Sequence, residues 1–379
     1  MVKDLKEVLL DDFWIMPATP KYINNGVPYI TSKNIKNGKV DFSNVNYINI
    51  EDYERISKNR PILIDDILIS MIGTLGEVAV VKKSDGVFYG QNMFLVRLNK
   101  DKIYQRYFIN YFKSNIVKRQ LMRKQNKSTQ SYMKANHIES LKIPIPDIAE
   151  QKKIANKLDK VQEIINMRKR QIDELDELIK FQFVEMFENK NFKEEELISL
   201  CKFIDYRGKT PTKCENGIPL ITAKNVKNNS FSFEPREYFL PELYESHMTR
   251  GIPRAGDVLF TTEAPLGNVC RIPEIEEKFA VGQRIITMQV YEKITEIYLE
   301  HALQSDSFQK EMWRKSTGST VKGIKSRLLG KITIPVPPIE LQNQFAEFVK
   351  LIDKQKFKMQ SSLEEIQKLL ESLMNKYFG

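Results

Sequence analysis

Two stretches of the chain place cations and hydroxyls together at one spacing. Arg123-Lys124, Ser128-Thr129 and Lys134 form the first, and Arg314-Lys315, Ser319-Thr320 and Lys325 the second, each residue 191 positions after its counterpart. Guanidinium and ammonium groups beside hydroxyls in a loop are suited to binding phosphate. The same offset pairs Lys33, Asn34 and Lys36 with Lys224, Asn225 and Lys227. Groups that two copies share suit what is common to both, namely the fold itself and, for a nucleic-acid partner, the phosphates of its backbone. Groups that differ suit what differs. In the same loops these are Gln91, Asn92, Gln125, Asn126 and Gln130 in the first copy, and Arg207, Lys209, Glu263, Arg284 and Thr317 in the second. Asn and Gln can hold adenine with two hydrogen bonds and Arg can hold guanine, each good pair giving about 1–3 kcal/mol of discrimination. The first copy is therefore expected to read with amides and the second with Arg207 or Arg284. Any single member of these sets also fits a solvated surface role, because long polar side chains are mostly exposed.

Catalytic chemistry is harder to find. No Gly-x-Gly occurs, which argues against a dinucleotide fingerprint. Gly318 and Gly323 have phosphate-loop spacing, but Ile324 stands where lysine must follow. His137, His247 and His301 have no counterparts in the other copy and no ligand spacing. The stretch "PDIAEQK" from Pro146 hints at a nuclease, yet its counterpart "PPIELQN" has Pro338, Leu341 and Asn343 where the aspartate, the second acid and the lysine stood. Asp147 followed by Glu150 is simply explained as a helix cap. The chain is expected to catalyse nothing and to hold neither a metal nor a cofactor of its own.

The elements that position these residues are themselves repeated. "GVPYITSKNIKNG" from Gly26 returns as "GIPLITAKNVKNN" from Gly217, and "IPIP" from Ile143 as "IPVP" from Ile334. Residues 1–146 and 190–337 mix short β-branched runs with turn residues and a helical stretch from Tyr104 to Met122, which predicts two α+β domains. The prolines then stop each domain, and residues 147–189 and 338–379 carry apolar residues at helical spacing without Gly or Pro in the seam. Forty helical residues make a rod of roughly 60 Å. Such a seam needs a partner: the rods either pair with each other, antiparallel and pseudo-twofold, as a coiled-coil spacer, or lie on their own domains.

Lys and Arg number 59 against 49 Asp and Glu, a net charge of +10 that favours a polyanionic partner. The first residues do not resemble a signal peptide and no apolar run approaches the ~20 residues of a membrane span, so a cytoplasmic location is expected. Three cysteines, all in the second copy, give no disulfide framework.

Two diverged α+β domains, each closed by "IPIP" or "IPVP" and a long helix, resemble the specificity subunits of type I restriction-modification systems. The resemblance covers the whole chain and also rests on "DILISMIGTLGEV" and "DVLFTTEAPLGNV", and on "YGQNM" and "VGQRI". It implies two target recognition domains, each reading half of a bipartite site in double-stranded DNA. It also implies methyltransferase subunits docked on the helical parts and carrying S-adenosylmethionine, with a restriction endonuclease or motor subunit able to join. Glu150 and Gln151 would then be docking residues, with Gln342 in the second copy, where Leu341 replaces the glutamate. Two other readings remain open at this point: a DNA-independent scaffold with two peptide-binding domains on a helical stalk, and a self-sufficient modification enzyme, which the missing motifs disfavour.

Overall fold

A computed structural model of the chain describes residues 2–17, 20–36, 38–71, 76–124, 134–188, 190–228, 230–275 and 278–379. Two compact units divide it: residues 1–170 with 360–379, and residues 171–359. The boundary falls inside both long helices, so each unit joins one α+β domain to parts of two helices.

In the first unit, strands β1 (Leu9–Ile15), β2 (Ile67–Ser70), β3 (Val78–Val80) and β4 (Met93–Leu98) form an antiparallel sheet in the order β1-β4-β2-β3. All four residues of β2 are buried, because both faces of the sheet are covered. Ile67 and Ile69 join the cluster of Tyr107 and Phe108 from helix α1 (Gln105–Lys113), while Leu68 joins Tyr29 and Tyr89 in a different one. This is the two-residue period of a strand. The second unit repeats the order with β5 (Cys201–Asp205), β6 (Val258–Thr262), β7 (Leu266–Arg271) and β8 (Ile285–Val290), arranged β5-β8-β6-β7. Val258 and Phe260 again go to one cluster and Leu259 to the other.

The helical stretch predicted from Tyr104 to Met122 is two helices. Ser114, with ψ 153°, separates α1 from α2 (Asn115–Lys124). Ser305, with ψ 148°, does the same between α4 (Glu296–Gln304) and α5 (Asp306–Lys315), and its hydroxyl accepts from the Phe308 N–H. An extended residue breaks a helix whatever the apolar pattern on either side.

Both long helices, α3 (Ile148–Phe183) and α6 (Ile339–Phe378), carry a buried glutamine in their first turn. Helices α4 (Glu296–Gln304) and α5 (Asp306–Lys315) precede α6 as α1 and α2 precede α3. The Gln151 carboxamide accepts from the Tyr104 N–H at 2.8 Å and donates to the Lys102 and Pro146 carbonyls at 3.0 and 2.9 Å. Gln342 repeats this with Thr295, Lys293 and Pro337 at 2.9, 3.0 and 2.8 Å. Glutamine fits because it offers an acceptor and two donors on one planar group.

The helix ends are held by aromatic rings. In the first unit the last turn of α6 sets Phe378 edge-on to Tyr107 and Tyr111, at 5.2 and 5.6 Å between centroids. In the second, Phe187, in the π-helical turn Val184–Glu188 that follows α3, meets Tyr298 at 5.0 Å and Phe345 at 5.4 Å. Ile154 and Leu158 share a core with Phe378, whereas Ile165 faces Leu370 across a small cleft. Asp176 pairs with Lys356, and Phe183 packs on Phe345. Within each unit the two helices therefore run antiparallel. The rods pair with each other and also rest on the domains, so both sequence expectations hold locally.

Replacing Gln342 with leucine would leave one buried N–H and two carbonyls unpaired. Gln342→Leu should lower stability by about 2–4 kcal/mol, read as a drop in the denaturation midpoint. His301 packs against Phe183 and Phe345. Burial pushes its imidazole down from 6.5 to about 4; Arg271 and Lys356 lower it further, while Asp353 and Asp176 oppose them. The unfolded chain takes up a proton below about pH 6.5 that the folded chain refuses until about pH 4. Stability should thus be full above that window and fall as pH drops through it. His301→Phe should remove that part of the fall when denaturation midpoints at pH 7 and pH 5 are compared.

Candidate nucleic-acid interface

In the second unit one end of the sheet gathers most of the candidate residues. Asp205 ends β5, Glu263 follows β6, Arg284 precedes β8, and the loop 316–325 crosses the same edge. Thr317 and Gly323 close that loop through two backbone bonds of 2.8 and 2.9 Å, and the Ile324 N–H donates to the Thr262 carbonyl at 3.1 Å. The carbonyl of Ile324 accepts from Arg207 Nη1 at 2.8 Å. Ser319, Thr320, Val321, Lys322 and Lys325 are left exposed on the anchored loop.

Arg207 is the clamp of this arrangement and not a free reader of bases. Its Nε and Nη2 bond Asp205 at 2.7–3.1 Å, so all three guanidinium nitrogens are engaged. Burial raises the Asp205 carboxyl, and the bonds from Arg207 more than reverse that, holding it below its usual range. Lys209 is likewise committed, its Nζ donating to the His247 carbonyl at 3.2 Å and Thr249 Oγ1 at 2.8 Å. These findings correct the expectation that Arg207 and Lys209 face bases. Arg250, which the sequence did not single out, donates from Nη1 to the Asp205 and Arg207 carbonyls at 2.6 and 2.9 Å. Its only sequence signal was charge.

Asn34 and Asn225 also move from contact to scaffold. Asn34 is 7% exposed; its Oδ1 accepts from the Thr31 N–H at 2.9 Å, and its Nδ2 donates to the Asp41 and Asn44 carbonyls at 2.9 and 3.0 Å. Asn225, 4% exposed, makes the same bonds to Thr222, Ser232 and Pro235 at 2.8, 2.9 and 3.2 Å. Each closes a loop and has no donor left for a phosphate. Gln151 and Gln342 are corrected for the same reason: a fully buried amide bonded within its own domain cannot dock a partner. Glu150 remains at the surface, 3.6 Å from Lys153.

The other cations lie outside. Lys33, Lys134, Lys227 and Arg123 are exposed, Lys36 pairs with Asp41 at 3.2 Å and Lys224 with Glu237 at 2.8 Å. Arg314 and Lys315 share Glu311 at 2.7 and 3.3 Å. Exposed pairs of this kind contribute little to stability, so their cations can exchange partners cheaply. In the first unit, Lys33, Lys36 and Asn92 line one cleft of about 510 Å³. Asn92 holds φ 62°, and its carbonyl accepts from the buried Ser32 hydroxyl. Gln91 is half-buried, 3.5 Å from the Tyr29 hydroxyl. Gln125, Asn126, Ser128, Thr129 and Gln130, with the side chain of Lys124, lie outside the described residues. Among the described residues no group of three or more His, Cys, Asp or Glu is arranged to hold a metal ion, and no helix is long and apolar enough to cross a membrane.

Asn225→Ala should lower stability by about 2–4 kcal/mol. The slope of heparin retention against salt should stay unchanged, because the side chain holds a loop and touches no anion.

The chain matches the family described as type I restriction modification DNA specificity domain twice, over residues 3–177 and 189–368. It is 27% identical, over 99% of its length and 91% of the relative's, to the putative type I restriction enzyme MjaX specificity subunit of Methanocaldococcus jannaschii. With the type I restriction enzyme EcoKI specificity subunit of Escherichia coli K12 it shares 22% identity over 93% of this chain and 82% of that one. Its fold is similar, at TM-score 0.60 and 17% identity over 100% and 97% of the two chains, to one solved in work on complex assembly and conformational transition of the type I restriction-modification system. A type I system S subunit from M. genitalium aligns at TM-score 0.53 and 16% identity, covering 100% and 96%. With a specificity domain in each half and the strand order duplicated, the chain belongs to the family of type I restriction-modification DNA specificity proteins.

Proposed function

We propose that this DNA specificity protein reads a bipartite duplex site, residues 1–146 taking one half and residues 190–337 the other, with 147–189 and 338–379 as spacer helices. The observation that carries this reading is the contrast at one sheet edge. Asn92 and Arg284 occupy equivalent positions just before β4 and β8, on scaffolds held alike by Asn34 and Asn225. A common frame with a different side chain at the reading edge is what two different half-sites require. Exposed Lys33, Lys227, Arg123, Lys134 and Lys325 would meet phosphates, with Ser319 and Thr320 adding hydroxyl donors. Arg314 and Lys315 would join them by releasing Glu311.

Catalysis belongs, in this reading, to methyltransferase subunits that bind S-adenosylmethionine and dock along the helices in the cytoplasm, and a restriction motor subunit can join them. Exposed apolar side chains support the docking: Ile164 and Met167 in the first unit, Phe181 and Leu351 in the second, are 42–62% exposed. The test is an exchange of residues 1–146 for the matching segment of another family member, followed by sequencing of the sites that the assembled complex methylates. One half of the site should change and the other should stay. A change in both halves would reject the assignment of one half to each domain.

A further inference from the structure

We propose that Arg284 and Glu263 act together to read one G·C base pair in the half-site of the second domain, Arg284 taking the guanine and Glu263 the amino group of its cytosine. This rests on the DNA-reading role proposed above. The two residues leave neighbouring points of the sheet edge. β6 and β8 are paired with Thr261 opposite Ile285, and the Thr262 N–H donates to the Arg284 carbonyl at 3.0 Å. Arg284 Nε lies 2.9 Å from Glu263 Oε1, with the side chains 53% and 44% exposed. The two terminal nitrogens of Arg284 and the second oxygen of Glu263 have no hydrogen-bond partner among the described residues.

The surroundings select this guanidinium. Arg207 has all three nitrogens engaged by Asp205 and the Ile324 carbonyl, and Arg250 Nη1 and Lys209 Nζ hold backbone carbonyls. Lys322 and Lys325, exposed on the adjoining loop, are point charges suited to phosphate and lack the fork that matches a base edge. The Arg284–Glu263 pair is poorly explained as a structural contact, since an ion pair this exposed adds little stability.

The order of groups fits one base pair. In the major groove G·C presents two acceptors, guanine N7 and O6, followed by the cytosine N4 donor. Two guanidinium nitrogens followed by a carboxylate oxygen present donor, donor, acceptor. Against A·T the guanidinium would meet the adenine N6 donor and the carboxylate the thymine O4 acceptor, so the wrong pair is repelled as well as less attracted. The ion pair also holds the arginine fork in place before binding, which reduces the ordering cost of contact. Asn92 stands at the equivalent position in the first unit, so the reading applies to the second half-site alone.

The experiment uses this chain in complex with its methyltransferase subunits and a duplex library randomised over both half-sites, with bound duplexes sequenced. A fixed G·C should appear in one half. Replacing that guanine with 7-deazaguanine, which lacks N7, should weaken binding roughly 5- to 100-fold. Arg284→Ala should abolish the guanine preference at that position and the effect of 7-deazaguanine, with the other half-site selected as before. Glu263→Gln should weaken the rejection of A·T there while sensitivity to 7-deazaguanine persists. If sites are selected but Arg284→Ala leaves every preference intact, or weakens all positions equally, the paired reading is wrong and the specificity role stands. If the native complex selects no sequence at all, the specificity role itself is wrong.

Discussion

A buried carboxamide at the start of each long helix is the constraint on which the architecture depends. Gln151 and Gln342 each pair three backbone groups of the segments that precede their helices. The helix cannot change its direction relative to its own domain without leaving a fully buried carboxamide unpaired, which is costly. Phe378 and Phe187 hold the opposite ends by packing on Tyr107 and Tyr298. Each domain thus grips the first turns of one helix and the last turns of the other. Two unlike forces combine in that grip, hydrogen bonds fixing direction and aromatic burial supplying most of the adhesion.

From that grip follows a division of labour along the sheet. The central strands β2 and β6 are buried on both faces, and the residues that differ sit at a strand end where side chains are more exposed. Asn34 and Asn225 close equivalent loops with equivalent bonds, so the two domains can differ at Asn92 and Arg284 without altering the frame. Arg207 is particular to the second domain, since Met16 stands at the equivalent position of the first. It pins the loop 316–325 through the Ile324 carbonyl.

Charge is distributed by the same logic. The excess of +10 is a property of the whole chain, yet many cations are engaged locally. Arg271 lies between Glu300 and Asp353, and Arg97 between Asp66 and Asp11. Buried or half-buried pairs of this kind hold the fold, because losing one partner strands the other's charge. Only cations at the surface, alone or in weak pairs, remain to meet an anionic partner.

The sequence by itself determined the duplication, the α+β character of each half, the long helices and their family. All of these follow from periodicity and repetition, which are local or directly countable. It could not separate residues shared because they hold the fold from residues shared because they touch a ligand. Lys33 and Asn34 are neighbours repeated together as Lys224 and Asn225, yet the lysines are exposed and the asparagines closed in. Arg207 and Arg284 looked alike as base readers. Tertiary structure decided between them: Asp205 and a carbonyl 117 residues away in the chain engage every nitrogen of the first, whereas the second, half exposed, meets Glu263 alone among the described residues. Which donors are left over depends on distant partners, and no spacing along the chain encodes them.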